Sequence, residues 1–262
     1  MLVTPAVAFV RPPSASYASC LRSDAAPIDV DQARAQHAGY VHALRDAGVE
    51  IVTLLPEDEL PDAMFVEDTA VIVGARALIT RPGAPSRRGE TSSVRAALAT
   101  RLEVVDMQPP AQLDGGDVLR VGDALLVGLS QRTNREGVDA LRGFASELGL
   151  STHTVELRAG LHLKSACSLA DASTLLVFEG AFRLGDLPAL EVEVLKVSEP
   201  AGANVLAFDR RVLVSAAAPR TAELLANRGL RPIALELLQI HAGDGALSCL
   251  SLRVAPPGHW VV

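Results

Sequence analysis

Positive charge, aromatic residues and paired cysteines are all scarce in this sequence of 262 residues. The net charge is −7, so neither a nucleic acid nor an anionic membrane is the expected partner, because both attract basic surfaces. The three cysteines lie far apart and form no CxxC pair, which argues against a disulfide framework and against a zinc site built from cysteines. We therefore expect reduced thiols and a cytoplasmic location.

Long hydrophobic runs are also missing, and none of the apolar segments is long enough to cross a bilayer. The apolar opening segment, residues 1–10, has no basic flank before it and leads into Arg11-Pro12-Pro13, so it is predicted to be a strand and not a signal peptide. Hydrophobic residues make up 49% of the chain and aromatic residues 3%, which indicates a compact protein with an aliphatic core. We predict that residues 1–262 form a single domain.

What the sequence does contain is a recurring pattern of a short strand, a tight turn and a second strand. The predicted hairpins cover residues 67–80, 116–128, 163–178 and 203–215. Helical spacing is found at residues 29–47, 90–102, 134–148 and 221–228, and a further strand is predicted at 50–55. The segment 184–199 has no clear assignment, and a helix with an acidic face is its one candidate.

The period of this pattern indicates a closed ring. Small or polar landmark residues recur at intervals of about 40 to 50 residues; they are Asp68, Asp117, Ser165, Asn204 and Ser248. The fifth copy stops at Val254, where the N-terminal strand would complete it, and closure would remove exposed sheet edges. The alternative is that similar hairpins arise by chance. We predict an α/β fold, a five-bladed pseudo-symmetric α/β-propeller of ββαβ-type units, in which the starts of the first strands converge on one central pit.

Cys249 is the candidate nucleophile near the expected axis. Residues 244–253 are predicted to form a tight turn followed by a strand that carries Cys249. A buried, inert thiol is the alternative, since free cysteines often behave as small hydrophobes. Because the thiolate is the attacking form, it requires a nearby cation or base. His162, which follows a glycine turn, is the candidate base, with a structural histidine as the alternative.

Acidic residues are predicted at the same end of the ring, and for each of them turn chemistry or an exposed face is the alternative. Carboxylates that converge on one cavity repel each other unless a cation lies between them. At about 4 Å and an effective dielectric constant near 20, each carboxylate–cation contact is worth on the order of 4 kcal/mol before desolvation. A planar guanidinium suits such a site. Arg87 and Arg132 would then be free to hold a carboxylate at the other end of the same arginine-like ligand.

Five collinear segments resemble the dimethylarginine dimethylaminohydrolases of the guanidino-group-modifying (pentein) superfamily. They are residues 64–70, 79–88, 113–119, 128–134 and 160–165. The resemblance spans nearly the whole chain. It implies a five-bladed α/β-propeller and an enzyme that hydrolyses carbon–nitrogen bonds of methylated arginines, giving citrulline and a methylamine through a covalent cysteine intermediate.

The resemblance also implies roles for individual residues. Cys249 would be the nucleophile, His162 the general acid/base and Asp114 the acid that orients His162. The remaining implied residues would bind the substrate; they are Leu21 in a lid loop, Glu67 and Asp68 against the guanidinium, and Asp62, Arg87, Arg132, Gly243 and Asp244 toward the amino-acid end. Two positions depart from the family pattern, Gly243 and Ser248, and the alternatives for both are a looser pocket or an altered substrate preference.

Several points stay open at this level. No metal or cofactor is expected, because the substrate supplies the positive charge. A methylated arginine is the expected small-molecule partner, and both a monomer and a homodimer are compatible with the sequence. The competing functions are those of another guanidino enzyme, an arginine deiminase or an amidinotransferase, and of a non-catalytic propeller that binds arginine-like ligands.

Overall fold

The computed structural model describes residues 3–260 and contains five three-stranded sheets that form a five-bladed α/β-propeller. In every sheet the first strand is antiparallel to the second, and the second is parallel to the third. Four sheets are continuous in sequence. The first contains β3 (Ala70–Val73), β4 (Arg76–Ile79) and β5 (Glu103–Asp106), and the second contains β6 (Val118–Val121), β7 (Ala124–Leu129) and β8 (Ser151–Glu156). The third contains β9 (Cys167–Asp171), β10 (Thr174–Phe178) and β11 (Glu193–Val197), and the fourth contains β12 (Leu206–Phe208), β13 (Arg211–Ser215) and β14 (Arg231–Leu235). The predicted propeller is therefore confirmed.

The fifth sheet joins the two ends of the chain. It consists of β1 (Val7–Val10), β2 (Glu50–Thr53) and β15 (Ser251–Val254), in the order β15-β1-β2. Phe9 of β1 pairs with Leu252 on one side and with Val52 on the other. The predicted closure of the ring by its own termini is confirmed. Met1 and Leu2, which belong to the predicted first strand, lie outside the described residues.

Helices connect the second and third strands of four of the five sheets. The helices of the described residues are α1 (Val30–Asp46), α2 (Thr91–Leu98), α3 (Arg135–Ser146), α4 (Leu163–Ala166), α5 (Pro219–Asn227) and α6 (Leu238–His241). The short helices α4 and α6 do not make this connection, because each follows the third strand of a sheet. Local capping fixes the start of α1, because the Asp29 side chain accepts a hydrogen bond from the Gln32 N–H at 3.0 Å. In the sheet of β9, β10 and β11, a 3₁₀ turn, Leu184–Asp186, and the strand β11 itself replace the helix that was the one candidate for this segment, so that interpretation was wrong.

A short helical turn precedes the first strand of each sheet, and we call these five segments the inner turns. In chain order they are Val66–Thr69, Gly115–Asp117, Leu163–Ala166 (α4), Pro200–Gly202 and Ser248–Leu250. Inner turns of successive units contact each other around the ring. The sequence predicted strands for most of these residues, so the predicted strand starts were wrong by two to four residues. The difference matters because the candidate site residues lie on or beside these turns.

The core lies between neighbouring sheets and is aliphatic, as predicted. Leu119, Leu176 and Val214, from three successive units, belong to one buried cluster. Within residues 3–260, no helix has both the length and the apolar character required to span a membrane.

Candidate active site

A pocket at one end of the ring axis contains every predicted site residue except Asp114 and Glu67. It also contains Phe65, Leu161 and Gly245, which the sequence did not single out although each lies within two residues of a predicted one. The inner turns explain why these side chains meet, since each turn brings the residues around a strand start to the axis.

Cys249 lies on the last inner turn and not in the strand predicted for it, because β15 begins only at Ser251. Its N–H donates to the Ala246 carbonyl at 3.2 Å, and the residue is 8% exposed. Burial raises the pKa of the Cys249 thiol to about 12, and the negative charges of Glu67 and Asp68 add to the effect. In the absence of a cation the thiol is therefore protonated at neutral pH.

His162 stands immediately before α4, with each ring nitrogen directed at a carboxylate. Nε2 lies 3.0 Å from Asp114 Oδ2, and Nδ1 lies 3.9 Å from Asp68 Oδ1. Burial alone would lower the pKa of His162, but Asp68, the hydrogen bond to Asp114 and the charge of Asp117 outweigh it and raise the pKa to about 9. The imidazole is therefore protonated at neutral pH and can donate a proton.

The glycines of Asp114-Gly115-Gly116-Asp117 permit close contacts between inner turns. A Cβ atom on Gly115 would lie 2.1 Å from the Glu67 carbonyl oxygen, and one on Gly116 would lie 2.9 Å from His162 Cγ. The Gly116 N–H donates to Asp68 Oδ1 at 2.9 Å. The glycines of this segment therefore allow close packing around His162 and Asp68.

Asp117 supports the site from outside the pocket. Its carboxylate accepts hydrogen bonds from Ser130 Oγ at 2.6 Å, from Thr133 Oγ1 at 2.7 Å and from the Leu163 N–H at 2.9 Å. These bonds fix the start of α4, and with it the position of the neighbouring residue His162.

The two arginines that were predicted to be free differ in their surroundings. Arg87 donates to Asp68 Oδ2 at 2.6 Å, to Glu90 Oε2 at 2.8 Å and to the Phe65 carbonyl at 3.1 Å. Its guanidinium is therefore bound by the protein itself and is not free for a ligand. Glu90 was missed by the sequence analysis. Arg132 Nη1 is buried and has no hydrogen-bond partner within residues 3–260, although it lies 3.7 Å from Asp114 Oδ2. Arg132 therefore retains an N–H group for a ligand.

Glu67 also has partners other than the predicted guanidinium. Its Oε1 accepts from Lys164 Nζ at 2.8 Å and from Arg253 Nη2 at 3.0 Å, while its Oε2 accepts from Ser248 Oγ at 2.6 Å. Glu67 lines a second cavity of about 70 Å³, together with Lys164 and Arg253, and not the pocket that contains Cys249.

The loop that contains Leu21 closes the pocket. The Leu21 N–H donates to Asp62 Oδ1 at 3.1 Å. Ser23 donates to Asp244 twice, from its N–H at 2.6 Å and from its Oγ at 2.8 Å. The enclosed space is about 20 Å³, which is room for on the order of one water molecule. An amino acid can enter only if this loop moves.

Gly243 does not loosen the pocket. A Cβ atom at this position would lie 2.4 Å from Tyr17 Oη and 3.1 Å from Cys20 Sγ, so these two side chains fill the space. Tyr17 Oη donates to the Gln239 carbonyl at 3.0 Å, which ties the base of the loop to α6. Ser248, the other departure, is fully hydrogen-bonded and buried.

A cation would have to compete for its ligands in this site. Asp68, Asp114 and His162 present atoms that lie within 4.8 Å of one another. However, Asp114 already binds His162, and Asp68 already binds Arg87 and the Gly116 N–H. The group is arranged as an acid–imidazole chain.

Comparison with known proteins identifies the family. The sequence model of the arginine deiminase family matches residues 57–186. The N(G),N(G)-dimethylarginine dimethylaminohydrolase of Streptomyces coelicolor is 41% identical over 252 residues, which are 94% of this chain and 96% of that protein. The chain belongs to the dimethylarginine dimethylaminohydrolase family.

Solved structures of dimethylarginine dimethylaminohydrolases have the same fold. The enzyme from Pseudomonas aeruginosa, solved as a cysteine-to-serine variant complexed with citrulline, superposes with a TM-score of 0.89 at 32% identity and covers 97% of this chain and 99% of its own. A histidine-to-glycine variant, solved as an adduct with S-methyl-L-thiocitrulline, also has a TM-score of 0.89, at 31% identity, with coverage of 97% and 100%. The predicted family and the predicted hydrolase acting on carbon–nitrogen bonds are confirmed.

Proposed function

We propose that this chain hydrolyses Nω-methylated arginines to citrulline and the corresponding methylamine, with Cys249 as the nucleophile and His162 as the general acid/base. One observation carries the proposal: the imidazole of His162, held between Asp68 and Asp114, lines the same pocket as the thiol of Cys249. The structures of relatives with citrulline and with a thiocitrulline adduct support it.

The thiol becomes reactive when the substrate binds. In the free protein the raised pKa of Cys249 disfavours the thiolate. A guanidinium placed beside Asp68 brings a positive charge next to the sulfur and lowers the pKa of the thiol. Each unit of that lowering corresponds to about 1.4 kcal/mol. The substrate therefore promotes formation of the attacking species, and the thiol proton leaves as the cation binds.

The reaction then has two halves. The thiolate adds to the central guanidinium carbon, and the bond from this carbon to the methylated nitrogen breaks as His162 donates its Nδ1 proton to the departing amine, since Nε2 is held by Asp114. The product of this half is a cationic S-alkyl thiouronium adduct. His162, now neutral, takes one proton from water, and the hydroxide oxygen adds to the same carbon. The carbon–sulfur bond then breaks as the remaining hydroxyl proton passes to the sulfur, which releases citrulline and restores the neutral thiol and the protonated imidazole.

The amino-acid end of the substrate has separate partners in the proposal. Arg132 Nη1, which lacks a hydrogen bond within the described residues, would bind the α-carboxylate. Asp62 would accept from the α-ammonium group, with the backbone near Asp244 and the closed loop at Leu21 covering it. Arg87 would act with Asp68, and a ligand carboxylate would have to share its guanidinium with Glu90.

The decisive assay measures citrulline formation from asymmetric dimethylarginine, monomethylarginine and arginine. We expect turnover of the methylated substrates, no citrulline from Cys249→Ser, and a loss of about 10²–10⁴-fold in kcat for His162→Gln with substrate binding retained. Citrulline formed from arginine alone would favour the second candidate function, that of an arginine deiminase. The observation behind this candidate is the match of residues 57–186 to the arginine deiminase family model. Binding without turnover would indicate a non-catalytic arginine receptor. The homodimer and the cytoplasmic location remain predictions.

A further inference from the structure

The residue before the candidate nucleophile uses all its polar groups inside the protein. Ser248 is 4% exposed and is not part of the Cys249 pocket. Its N–H donates to Asn204 Oδ1 at 3.1 Å, and its carbonyl accepts from Arg253 Nη1 at 3.1 Å. Its hydroxyl donates to Glu67 Oε2 at 2.6 Å and accepts from Asn204 Nδ2 at 2.9 Å. The turn that carries Cys249 is therefore restrained at the residue preceding the sulfur.

The partners of Ser248 belong to different units of the ring. Glu67 lies on the first inner turn, and Asn204 follows the fourth. The second N–H of the Asn204 amide donates to the Lys164 carbonyl at 2.8 Å, on the third inner turn. The hydrogen bonds around Ser248 therefore connect the last inner turn with the first and third inner turns and with the segment that follows the fourth.

The positions of the two cations around Glu67 determine which of its oxygens accepts the hydrogen bond from the Ser248 hydroxyl. Both cationic partners of Glu67, Lys164 and Arg253, bind its Oε1, which leaves Oε2 for Ser248. A buried carboxylate that is held by two cations and a hydroxyl has little freedom to move. Ser248 is thereby attached to a rigid point at the centre of the ring.

We propose that Ser248 and Asn204 are positioning residues for the nucleophile, which fix the Ser248–Leu250 turn so that the Cys249 sulfur stands at the distance needed for attack. The inference rests on the proposed function, because it assumes that Cys249 attacks the substrate. A misplacement of about 1 Å can cost about 10²-fold in rate. Since Ser248 and Asn204 do not line the substrate pocket, their loss is expected to affect the chemical step and not binding.

Steady-state kinetics test the positioning role. Ser248→Ala and Asn204→Ala are each expected to lower kcat by about 10–100-fold while KM stays near the parent value. The double variant is expected to be no slower than the slower single variant, because both residues act through one network. Ser248→Thr, which keeps the hydroxyl, should recover most of the activity. Additive losses, or losses found mainly in KM, would overturn the proposal.

A labelling experiment tests the restraint without any substrate. Iodoacetamide is added to the folded protein, and alkylation of each cysteine is followed by mass spectrometry. In Ser248→Ala and Asn204→Ala, Cys249 is expected to react faster than in the parent, whereas the buried thiols of Cys20 and Cys167 keep their parent rates and act as internal controls. An equal increase at all three cysteines, or none at Cys249, would overturn the proposal. If the parent protein makes no citrulline but shows this selective increase, the proposed function fails and the restraint on the turn stands.

Discussion

The Asp68 carboxylate lies between two cationic side chains, with Oδ1 3.9 Å from His162 Nδ1 and Oδ2 2.6 Å from Arg87 Nη1. It is 2% exposed, and its charge acts on the other groups of the pocket. Asp68 raises the pKa of His162 and also contributes to the raised pKa of Cys249. Asp68 therefore contributes both to the protonation of the imidazole, together with Asp114 and Asp117, and to the neutral state of the resting thiol, together with burial and Glu67.

Replacing Asp68 by asparagine should change thiol reactivity and turnover in opposite directions. The pKa of Cys249 falls in Asp68→Asn, so alkylation of the free protein at neutral pH is expected to be faster, by up to about tenfold for each pKa unit. Citrulline formation is expected to fall by more than about tenfold, because the guanidinium loses its nearest carboxylate. Asp106→Asn, at an exposed ion pair with Arg95, serves as the control. A decrease of both rates in Asp68→Asn would contradict this assignment.

The raised pKa of His162 predicts a pH-dependent contribution to folding stability. The pKa is about 9 in the folded protein against an ordinary value of 6.5. Because the folded value is the higher one, protonation favours the folded state; the contribution is fully present below pH 6.5 and is lost as the pH rises through about 9. The free energy of unfolding of the parent, compared with that of His162→Gln, should therefore decrease across this window in urea titrations.

His37 provides the matched control for this measurement. It is buried like His162, but burial lowers its pKa to about 4. The difference in unfolding free energy between the parent and His37→Gln should be independent of pH between 6.5 and 9. A pH-independent difference for His162→Gln as well would show that the carboxylates do not hold a proton on that ring.

The loop over the pocket is held by Asp244, and its release should expose the thiol. Asp244 has φ 58°, which glycine adopts freely, so Asp244→Gly removes the two hydrogen bonds to Ser23 with little backbone strain. We expect Cys249 to react about tenfold faster with a bulky aromatic disulfide, which corresponds to about 1.4 kcal/mol of loop closure. KM should rise as well. Asp24→Ala is the control, because the hydrogen bond of the Asp24 side chain within residues 3–260 is local to the loop, from the Ala26 N–H. Equal rates of Cys249 modification in the two variants would show that the bonds between Asp244 and Ser23 do not hold the loop over the pocket.

A double-mutant cycle can test the close contact between Tyr17 and Gly243. Since a Cβ atom at residue 243 would lie 2.4 Å from Tyr17 Oη, Gly243→Ala should destabilise the fold by about 1–3 kcal/mol through overpacking. Tyr17→Phe alone removes the hydrogen bond to Gln239 and should cost about 1 kcal/mol. In the double variant the losses should be smaller than their sum, because removal of the hydroxyl makes room for the methyl group. Additive losses of unfolding free energy would contradict the contact.

The hairpins could be predicted because their alternating apolar residues and turn residues are local signals. The inner turns could not, because contacts from other units stabilise them. The first inner turn is bound by Thr80 Oγ1, which donates to the Asp68 carbonyl at 2.6 Å, and the local bond from Thr69 Oγ1 to the Val66 carbonyl adds to it. Residues such as Thr69 and Leu163 therefore resembled strand residues in sequence although they lie in helical turns.

The site residues were predictable as a set, and their pairings were not. Resemblance to a family places Arg87 and Glu67 near the axis, where the structure has them. Their partners depend on residues with no signal of their own: Glu90 binds Arg87, and Lys164 and Arg253 bind Glu67 from 97 and 186 positions away. Pairings over such separations arise only when the ring is complete.

Strand β15, which closes the ring, is the last strand to be synthesised among the described residues. Four of the five sheets can assemble from residues that precede it, but β15 pairs with β1 and follows directly after the turn that bears Cys249. A nascent chain that already contains Asp68, Asp114 and His162 therefore still lacks the turn that positions the Cys249 sulfur. Because the Ser248–Leu250 turn leads directly into β15, it is completed together with the pairing of the two ends of the polypeptide, so under the proposed function the nucleophile would be the last part of the site to be placed.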